Sequence, residues 1–310
     1  MPEGTHAEAR PRVAAIGLGA MGLPMALRLV EKFPVVVFDT ADDRLQRALA
    51  AGAVAAASPA AAASDAQVVL LAVRDQAQME SALFAADGVA AGLRAGGTVI
   101  LTSTIGPAAV RSFAERLAEH GILVVDAPLS GGPVRAGNGD LLVLVGASDE
   151  ALAATRPVLD QLASTLTIVG SAAGDGQVFK TINQLLAGVH IAAAAEAIAL
   201  ARGLGLDPQT VIAALSQGAG SSFMFADRGP RMLEAYGDGA EVKSRLDIFV
   251  KDMGIVTEVA RQAHVAVPLA AAAEQLYLIA ESAGLGDHDD SSVVTVLSPR
   301  GGIASAALSA

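Results

Sequence analysis

Cysteine and tryptophan are absent from the 310-residue chain, and aromatic residues make up only 3% of it. Without cysteine the chain can form no disulfide, thiolate nucleophile or cysteine-ligated metal site. Basic residues are also few, since 21 lysines and arginines face 32 acidic residues and leave a net charge of -11. Such an acidic chain is a poor partner for nucleic acid or an anionic membrane. The scarcity of aromatic side chains predicts a core of alanine, valine and leucine.

Little in the sequence suggests export or a membrane span. Residues 1–11 are polar and lack the apolar segment of an export signal, so we expect a flexible N-terminus. The longest apolar stretch, Leu185–Ala201, is interrupted by His190 and Glu196. It is shorter than the roughly 20 residues that cross a bilayer. We therefore expect a cytoplasmic protein in which this stretch is a buried helix.

Short apolar runs alternate with helical segments in the first half of the chain. Val13–Gly17 and Val35–Phe38 predict strands with a helix over Met21–Glu31 between them, which is the unit of a parallel sheet. Further strands are predicted at Val68–Val73, Thr98–Thr102, Leu123–Asp126, Leu141–Gly146 and Thr165–Val169, and helices at Asp42–Ala51, Gln76–Phe84 and Pro107–His120. The alternation predicts an α/β domain of Rossmann type with a doubly wound sheet over residues 12–175.

After Gly176 the alternation ends and long segments rich in alanine and leucine follow. Gln177–Gly203 is apolar nearly all round, which predicts one long buried helix. More helices are predicted at about Pro208–Gln217, Ser244–His264, Pro268–Ala283 and Ser291–Leu297. Residues 176–310 are therefore predicted to form an all-α domain that binds substrate and joins copies of the chain in a homodimer or homotetramer.

The segment Gly17-Leu18-Gly19-Ala20-Met21-Gly22 fits the pattern G-x-G-x-x-G. A single match to this pattern is weak evidence, but here it follows a strand and opens a helix, as in dinucleotide-binding sites. The helix N-terminus would offer free N–H groups to the phosphates. The alternative is a glycine turn without a ligand.

Asp39 ends the second predicted strand, about 20 positions after the glycines. A carboxylate at this place accepts hydrogen bonds from the adenosine ribose hydroxyls and repels a 2′-phosphate, which favours NAD over NADP. Arg44 nearby would have the opposite effect, because its positive charge attracts a 2′-phosphate. Asp39 could also be a turn residue or helix cap.

A further glycine-rich segment, Asp126–Gly132, follows a predicted strand at the edge where parallel sheets bind ligands. Its residues Ser130, Gly131 and Gly132 offer a hydroxyl and backbone N–H groups, which suit a substrate carboxylate. The same composition is also consistent with a plain turn.

Lys180 and Asn183 are three positions apart in the first turns of the long helix, so they share a face. A lysine near a helix N-terminus in apolar surroundings is expected to have a lowered pKa, as proton transfer requires. By spacing alone, a solvent-facing lysine is the simpler interpretation.

The remaining candidates have equally plain alternatives. Asp247 and Lys251, with Asp252 adjacent, fit a surface ion pair four positions apart. Phe223 fits either a pocket wall or core packing. No cluster of residues has the spacing of a metal site.

Together and in this order, these segments resemble the β-hydroxyacid dehydrogenases, the family that includes 3-hydroxyisobutyrate dehydrogenase and tartronate semialdehyde reductase. The resemblance covers about residues 12–298. It rests on Gly17–Met25, Asp126–Gly132, Gly174–Asn183 and Lys251-Asp252, with Ser103-Thr104-Ile105 similar to a strand-end segment that contacts the cofactor.

The resemblance implies transfer of a hydride from a small hydroxy acid to NAD, with Lys180 as the general acid and base. Substrate contacts are implied for Ser130, Gly131, Gly132, Asn183, Phe223 and Asp252. Cofactor contacts are implied for Gly17, Leu18, Gly19, Ala20, Met21, Gly22, Asp39, Thr40, Val73, Ser103, Thr104 and Lys251. Neither a metal nor a nucleic acid is implied.

Within the family, three segments most resemble the L-threonate dehydrogenases, which oxidise a four-carbon sugar acid at C2: Gln184–Ala193, Asp247–Gly254 and Asp289–Val294. Gln184 and Leu129 stand where the family commonly has asparagine and valine, and the threonate branch can carry histidine at the position of Asn183. The substrate could therefore also be 3-hydroxyisobutyrate or tartronate semialdehyde. A non-catalytic dinucleotide-binding sensor or reader is the alternative of another class, although such family members lose the lysine that Lys180 represents.

Overall fold

The computed structural model of the chain describes residues 10–297. The protein divides into two compact units, and the boundary lies between Lys180 and Thr181. The predicted flexible N-terminus lies almost entirely outside the described residues.

The described part of the first unit, residues 10–180, contains nine strands and eight complete helices. The strands are β1 (Val13–Ile16), β2 (Val35–Phe38), β3 (Val54–Ala55), β4 (Val68–Leu71), β5 (Thr98–Leu101), β6 (Leu123–Asp126), β7 (Leu129–Ser130), β8 (Leu141–Gly146) and β9 (Ala163–Gly170). The helices are α1 (Gly22–Val30), α2 (Asp42–Ala50), α3 (Pro59–Ala63), α4 (Gln76–Phe84), α5 (Val89–Gly92), α6 (Pro107–Ala118), α7 (Gly132–Asn138) and α8 (Asp149–Leu162).

All nine strands form one sheet in the order β3-β2-β1-β4-β5-β6-β8-β7, with β9 also paired to β8. Strands β1 to β6 are parallel, whereas β8 runs antiparallel to β6 and β7. The order reverses between β1 and β4, and sheets of this type bind ligands outside the carboxyl ends of their strands at such a point. The predicted Rossmann-type sheet followed by a helical region is confirmed.

The central strands β1, β4 and β5 bury both of their faces, as parallel strands covered by helices do. Val13 and Ala15 belong to one apolar cluster with α1 and α8, while Ala14 and Ile16 belong to another with α4 and α6. Successive side chains of a strand point to opposite faces, so the two clusters cover the two sides of the sheet. This explains why the central strands are continuous apolar runs instead of alternating ones.

Beyond Lys180, the described residues form helices and no strand. The helices are α9 (Asp175–Gly203), which begins in the first unit, α10 (Pro208–Leu215), α11 (Phe223–Tyr236), α12 (Leu246–Gln262), α13 (Pro268–Ala280) and α14 (Val294–Leu297). A π-helical turn (Glu281–Leu285) and a 3₁₀ turn (Asp290–Val293) lie between α13 and α14.

Helix α9 is longer than the apolar stretch that the sequence indicated. Among the described residues it is the one helix long and apolar enough, by length and composition, to cross a membrane. The length of α9 therefore does not exclude a membrane span, contrary to the expectation from the shorter apolar stretch in the sequence. Only half of its most apolar 18 residues are buried within the protein, and Ile182 and Leu200 are more than half exposed, so the prediction that the helix is buried all round is wrong for this chain.

A buried ionic cluster lies at the 3₁₀ turn of the second unit. Asp289 and Asp290 are fully buried and pair with Arg231, and Asp290 also binds Arg228 at 2.9 Å. Burial acts to raise the pKa of Asp289, but hydrogen bonds led by that from Arg231 hold it below its usual value. The cluster joins α11 to the 3₁₀ turn.

Tyr277, fully buried on α13, provides a test of packing in the second unit. Its hydroxyl donates a hydrogen bond to the carbonyl of Gly188 at 2.8 Å, and its ring stacks on Phe249. Tyr277→Phe should lower the free energy of unfolding by about 1 kcal/mol, because a typical buried hydrogen bond contributes that much. Denaturant unfolding followed by circular dichroism measures the loss. The control is Tyr236→Phe, whose half-buried hydroxyl makes a longer bond of 3.3 Å to Val294; an equal loss in both variants would contradict the prediction.

Candidate active site

The turn between β1 and α1 has the geometry of a tight glycine turn. Gly17 has a φ of +85°, and a Cβ there would lie 2.6 Å from the carbonyl oxygen of Ala72. A Cβ on Gly22 would lie 1.8 Å from the carbonyl oxygen of Gly17, so α1 can approach β1 only without that side chain. A Cβ on Gly19, by contrast, would meet no atom within 4 Å. Open space therefore borders the turn at Gly19.

The N-terminus of α1 lies at this open space. Met21 at the N-cap position makes no side-chain cap hydrogen bond, and the first turn carries no acidic residue. The first N–H groups of a helix lack intrahelical partners, and the helix dipole favours an anion there. The turn fits the pyrophosphate of a dinucleotide, because its backbone is accessible at Gly19 and its helix end is uncapped.

Asp39 follows β2 and is buried beside the glycine turn. Its carboxylate accepts hydrogen bonds from the N–H groups of Leu18 at 2.5 Å and Ala41 at 2.8 Å, and Arg44 approaches to 3.6 Å. A carboxylate has about four acceptor positions, so it can accept further bonds. Thr40 beside it is exposed. Asp39 thus both fastens the turn and retains acceptor capacity.

The ends of β4 and β5 are tied together by side-chain hydroxyls. Ser103 donates to the carbonyl of Val73 at 2.6 Å, and Thr102 donates to the carbonyl of Leu71 at 2.7 Å. Thr104 next to them is half-buried. The strand-end residues predicted to contact a cofactor therefore share the carboxyl edge of the sheet with the glycine turn.

Asp126 at the end of β6 is fully buried and binds the start of α9. It accepts hydrogen bonds from the backbone N–H groups of Gly174 at 3.0 Å and Gln177 at 2.9 Å. Burial raises its pKa to about 6, against the effect of these hydrogen bonds. Since this is above the unfolded value of 3.8, the ionised carboxylate costs stability at neutral pH, and the cost declines as the pH falls from about 6 towards 3.8.

The segment predicted as a glycine loop is more regular than expected. Ser130 belongs to β7 and pairs with Leu142 of β8, and Gly132 is the first residue of α7. Gly131 precedes it with a φ of 139°. The two glycines thus form a helix start directly after a strand.

Lys180 lies in the second turn of α9 and is only 7% exposed. The solvent-facing interpretation is therefore wrong. Asn183 follows one turn later on the same helix and is half-buried. Within the first unit, Asp126 at the end of β6 binds the first turn of the helix that carries Lys180, so this helix starts at the sheet edge that carries the glycine turn.

The second unit joins three of the predicted residues in one hydrogen-bonded chain. Asn183 donates to the side-chain oxygen of Gln184 at 2.8 Å, and Gln184 donates to the carboxylate of Asp252. Lys251 pairs with the other oxygen of that carboxylate at 2.5 Å. Asp247 pairs with Arg245 instead. Sequence reasoning did not assign Gln184 this connecting role, which only the contacts reveal.

Phe223 is 74% exposed at the start of α11. It is therefore not part of the core of its own unit, whereas Phe225 is buried in that core. Between residues 10 and 297, no three His, Cys, Asp or Glu side chains are grouped so that they could hold a metal ion.

Comparison with known proteins agrees with this geometry. Residues 12–170 match the model of the NAD binding domain of 6-phosphogluconate dehydrogenase. Residues 174–297 match the model described as the NAD-binding region of NADP-dependent 3-hydroxyisobutyrate dehydrogenase.

Individual relatives match over nearly their whole length. An L-threonate dehydrogenase of Cupriavidus necator is 42% identical over 92% of this chain and 95% of its own. One from Pectobacterium atrosepticum is 38% identical over 92% and 93%. The crystal structure of a 3-hydroxyisobutyrate dehydrogenase from Salmonella typhimurium has a TM-score of 0.86 at 36% identity, and the match covers 92% of this chain and 99% of that one. The chain therefore belongs to the 3-hydroxyisobutyrate dehydrogenase-like family of β-hydroxyacid dehydrogenases, NAD(P)-dependent oxidoreductases that act on CH–OH groups.

Proposed function

We propose that this protein oxidises a small hydroxy acid with NAD, and that its substrate is L-threonate or a similar four-carbon sugar acid, oxidised at C2. The observation that carries the proposal is the buried Lys180, in a helix that starts at the same sheet edge as an uncapped glycine turn. A buried ammonium has lost most of its hydration, and desolvation disfavours the charged form of lysine. A lysine in this setting suits proton transfer.

In this mechanism Lys180 receives the proton of the substrate hydroxyl while the carbinol carbon loses a hydride. When bound, the nicotinamide supplies the hydride acceptor. In the reverse direction the protonated Lys180 returns the proton to the forming alkoxide. General acid–base catalysis by such a group contributes roughly 10²–10⁴ in rate.

The substrate carboxylate is assigned to Ser130 and the N–H groups of Gly131 and Gly132, together with the amide of Asn183. The hydrogen bond from Asn183 to Gln184, which itself binds Asp252, supports this role because it orients the amide. A side chain held in one orientation loses less entropy when it binds a ligand. Phe223 is exposed, so we assign it to substrate contact rather than to packing.

L-threonate is preferred as the substrate because the L-threonate dehydrogenase of Cupriavidus necator is 42% identical over nearly its full length. The solved relative from Salmonella typhimurium carries the name of 3-hydroxyisobutyrate dehydrogenase at 36% identity. A panel of hydroxy acids of three to five carbons, followed by NADH absorbance, decides between them. The kcat/KM for L-threonate should exceed that for 3-hydroxyisobutyrate; the reverse order would overturn the substrate assignment. NAD binding without turnover of any acid would favour a non-catalytic sensor.

The preference for NAD is assigned to Asp39, and the variant Asp39→Asn tests it. The amide can still accept one of the two backbone N–H groups, but the negative charge that repels a 2′-phosphate is lost and Arg44 loses its partner. Two charges 4 Å apart interact by about 1 kcal/mol in water and more when partly shielded. The ratio of kcat/KM for NAD over NADP should therefore fall about tenfold or more. The exposed Asp43→Asn is the matched control and should leave the ratio unchanged; an unchanged ratio in Asp39→Asn would remove this role from Asp39.

Assembly into a homodimer or homotetramer remains part of the proposal, as does a cytoplasmic location. Three apolar side chains at helical spacing on α9, Phe179, Ile182 and Leu186, are each about half exposed. Such a stripe is typical of a helix that packs against a partner. Light scattering after size exclusion would measure the assembly.

A further inference from the structure

We propose that Gln177 is a positioning residue: its buried side-chain amide, bound to Asp126, joins the ends of β5 and β6 to the first turn of α9 and thereby fixes the place of Lys180. This inference rests on the function proposed above, because it concerns where the proton-transferring lysine lies.

The amide of Gln177 makes four hydrogen bonds to two segments of the chain, residues 103–106 after β5 and Asp126 at the end of β6. Its oxygen accepts from the N–H groups of Ile105 and Gly106, both at 3.1 Å. Its nitrogen donates to the carbonyl of Ser103 at 3.1 Å and to the carboxylate of Asp126 at 3.0 Å. These bonds use both hydrogens and both lone pairs of the amide.

Asp126 completes the connection from the other side. Its second carboxylate oxygen accepts from the N–H group of Gly174, directly before α9, and from that of Gln177 in the first turn of α9, and neither group would otherwise have an intrahelical partner. The carboxylate thus caps the helix from a strand. The chain of bonds continues through Ser103 to the carbonyl of Val73 at the end of β4.

Gln177 and Lys180 are separated by less than one helical turn. A helix transmits a displacement of its first turn directly to the next turn, because each residue is bonded to the one four positions later. Misplacement of a catalytic group by about 1 Å can cost about 10²-fold in rate. Loosening Gln177 should therefore lower turnover although Gln177 itself moves no proton.

Only an amide of this length has two donors and two acceptors for these partners. A glutamate at position 177 keeps the shape of the side chain, but it would place an oxygen acceptor opposite the carbonyl of Ser103 and the carboxylate of Asp126. Both of these groups are acceptors themselves, so the two hydrogen bonds would be lost. An asparagine at position 126 restores one donor towards that glutamate while its own oxygen still accepts from the start of α9. Two substitutions thus exchange the donor and the acceptor of the hydrogen bond between residues 126 and 177.

The test compares Gln177→Glu with the double variant D126N/Q177E, using whichever hydroxy acid the natural enzyme oxidises. The kcat of Q177E should be at least tenfold lower than that of the natural enzyme. The kcat of the double variant should be at least threefold higher than that of Q177E. The matched control is Gln161→Glu, because Gln161 is also buried in the first unit but binds Arg28 and Glu31. Its kcat should stay within twofold of the natural enzyme.

A kcat of Q177E within threefold of the natural enzyme, or a double variant no better than Q177E, would overturn the inference. Should Q177E fail to fold, the single variant Asp126→Asn is measured instead. Its side-chain N–H donor would face the N–H donor of Gln177, where the natural protein has a carboxylate acceptor. A kcat within threefold in that variant would overturn the inference equally.

Hydrogen exchange provides a readout that needs no substrate. Backbone N–H groups of residues 174–180 should exchange about tenfold faster in Q177E than in the natural protein. Their exchange rates should be unchanged in Gln161→Glu. Equal exchange in Q177E would overturn the positioning role. If the natural protein oxidises no acid, the proposed function fails while this measurement still decides whether Gln177 holds α9.

Discussion

Lys180→Met should lower kcat about 10²–10⁴-fold while the protein still folds and binds NAD. The expected loss is the usual contribution of a general acid–base group. Methionine has a similar volume to lysine, and Lys180 is buried, so the substitution removes the proton carrier without opening a cavity. Steady-state kinetics with the preferred hydroxy acid measure the loss, and NADH fluorescence titration measures cofactor binding.

Lys180→Arg separates proton transfer from simple charge. Arginine keeps the positive charge but is not deprotonated in proteins, so it cannot accept a proton from the substrate. We expect this variant to be nearly as inactive as Lys180→Met. The control is Lys32→Met, which removes an exposed lysine of the same unit and should leave kcat unchanged. Turnover within a few-fold of the natural enzyme in Lys180→Met would assign the proton transfer to another group.

Gly19→Ala should weaken NAD binding about 10–100-fold and leave the fold intact. The added methyl group meets no protein atom within 4 Å, so it strains nothing in the free protein. It occupies the space through which the pyrophosphate would reach the backbone N–H groups of the turn. Hydrogen bonds to charged groups contribute about 1.5–3 kcal/mol each, and loss of one corresponds to roughly the stated range. Calorimetric titration with NAD measures the affinity.

Two comparisons make the Gly19 prediction specific. Gly203→Ala, at the end of α9, also places its methyl group in open space and should leave the affinity for NAD unchanged. Gly22→Ala should instead destabilise the protein itself, because its Cβ would lie 1.8 Å from a backbone oxygen. If Gly19→Ala bound NAD like the natural protein, the glycine turn would not be the place where the cofactor meets the backbone.

Several elements escaped sequence reasoning although local signals were present. Helices α8 and α11 each contain an internal proline, Pro157 and Pro230, which argues against a helix in sequence. Each nevertheless begins with a serine cap, Ser148 and Ser222, whose hydroxyl accepts a hydrogen bond from the first turn. The cap was the better guide, because packing in the fold outweighs the local cost of proline.

The sequence by itself determined the alternation of the main strands and helices in the first half of the chain and the glycine turn at Gly17–Gly22. Both follow from local patterns: apolar runs of fixed period, and glycines at fixed offsets between a strand and a helix. The family could be predicted from the same source, because its motifs are short and occur in a fixed order.

Tertiary structure alone decided the burial of Lys180 and the long-range contacts of Gln177 and Gln184. Gln177 meets Asp126 and Ser103 across 51 and 74 positions of the chain, and Gln184 meets Asp252 across 68. Contacts over such separations depend on which strands lie side by side and where a helix returns to the sheet. No local window of sequence contains that information, so spacing alone favoured a solvent-facing Lys180, and only the folded chain shows that it is buried.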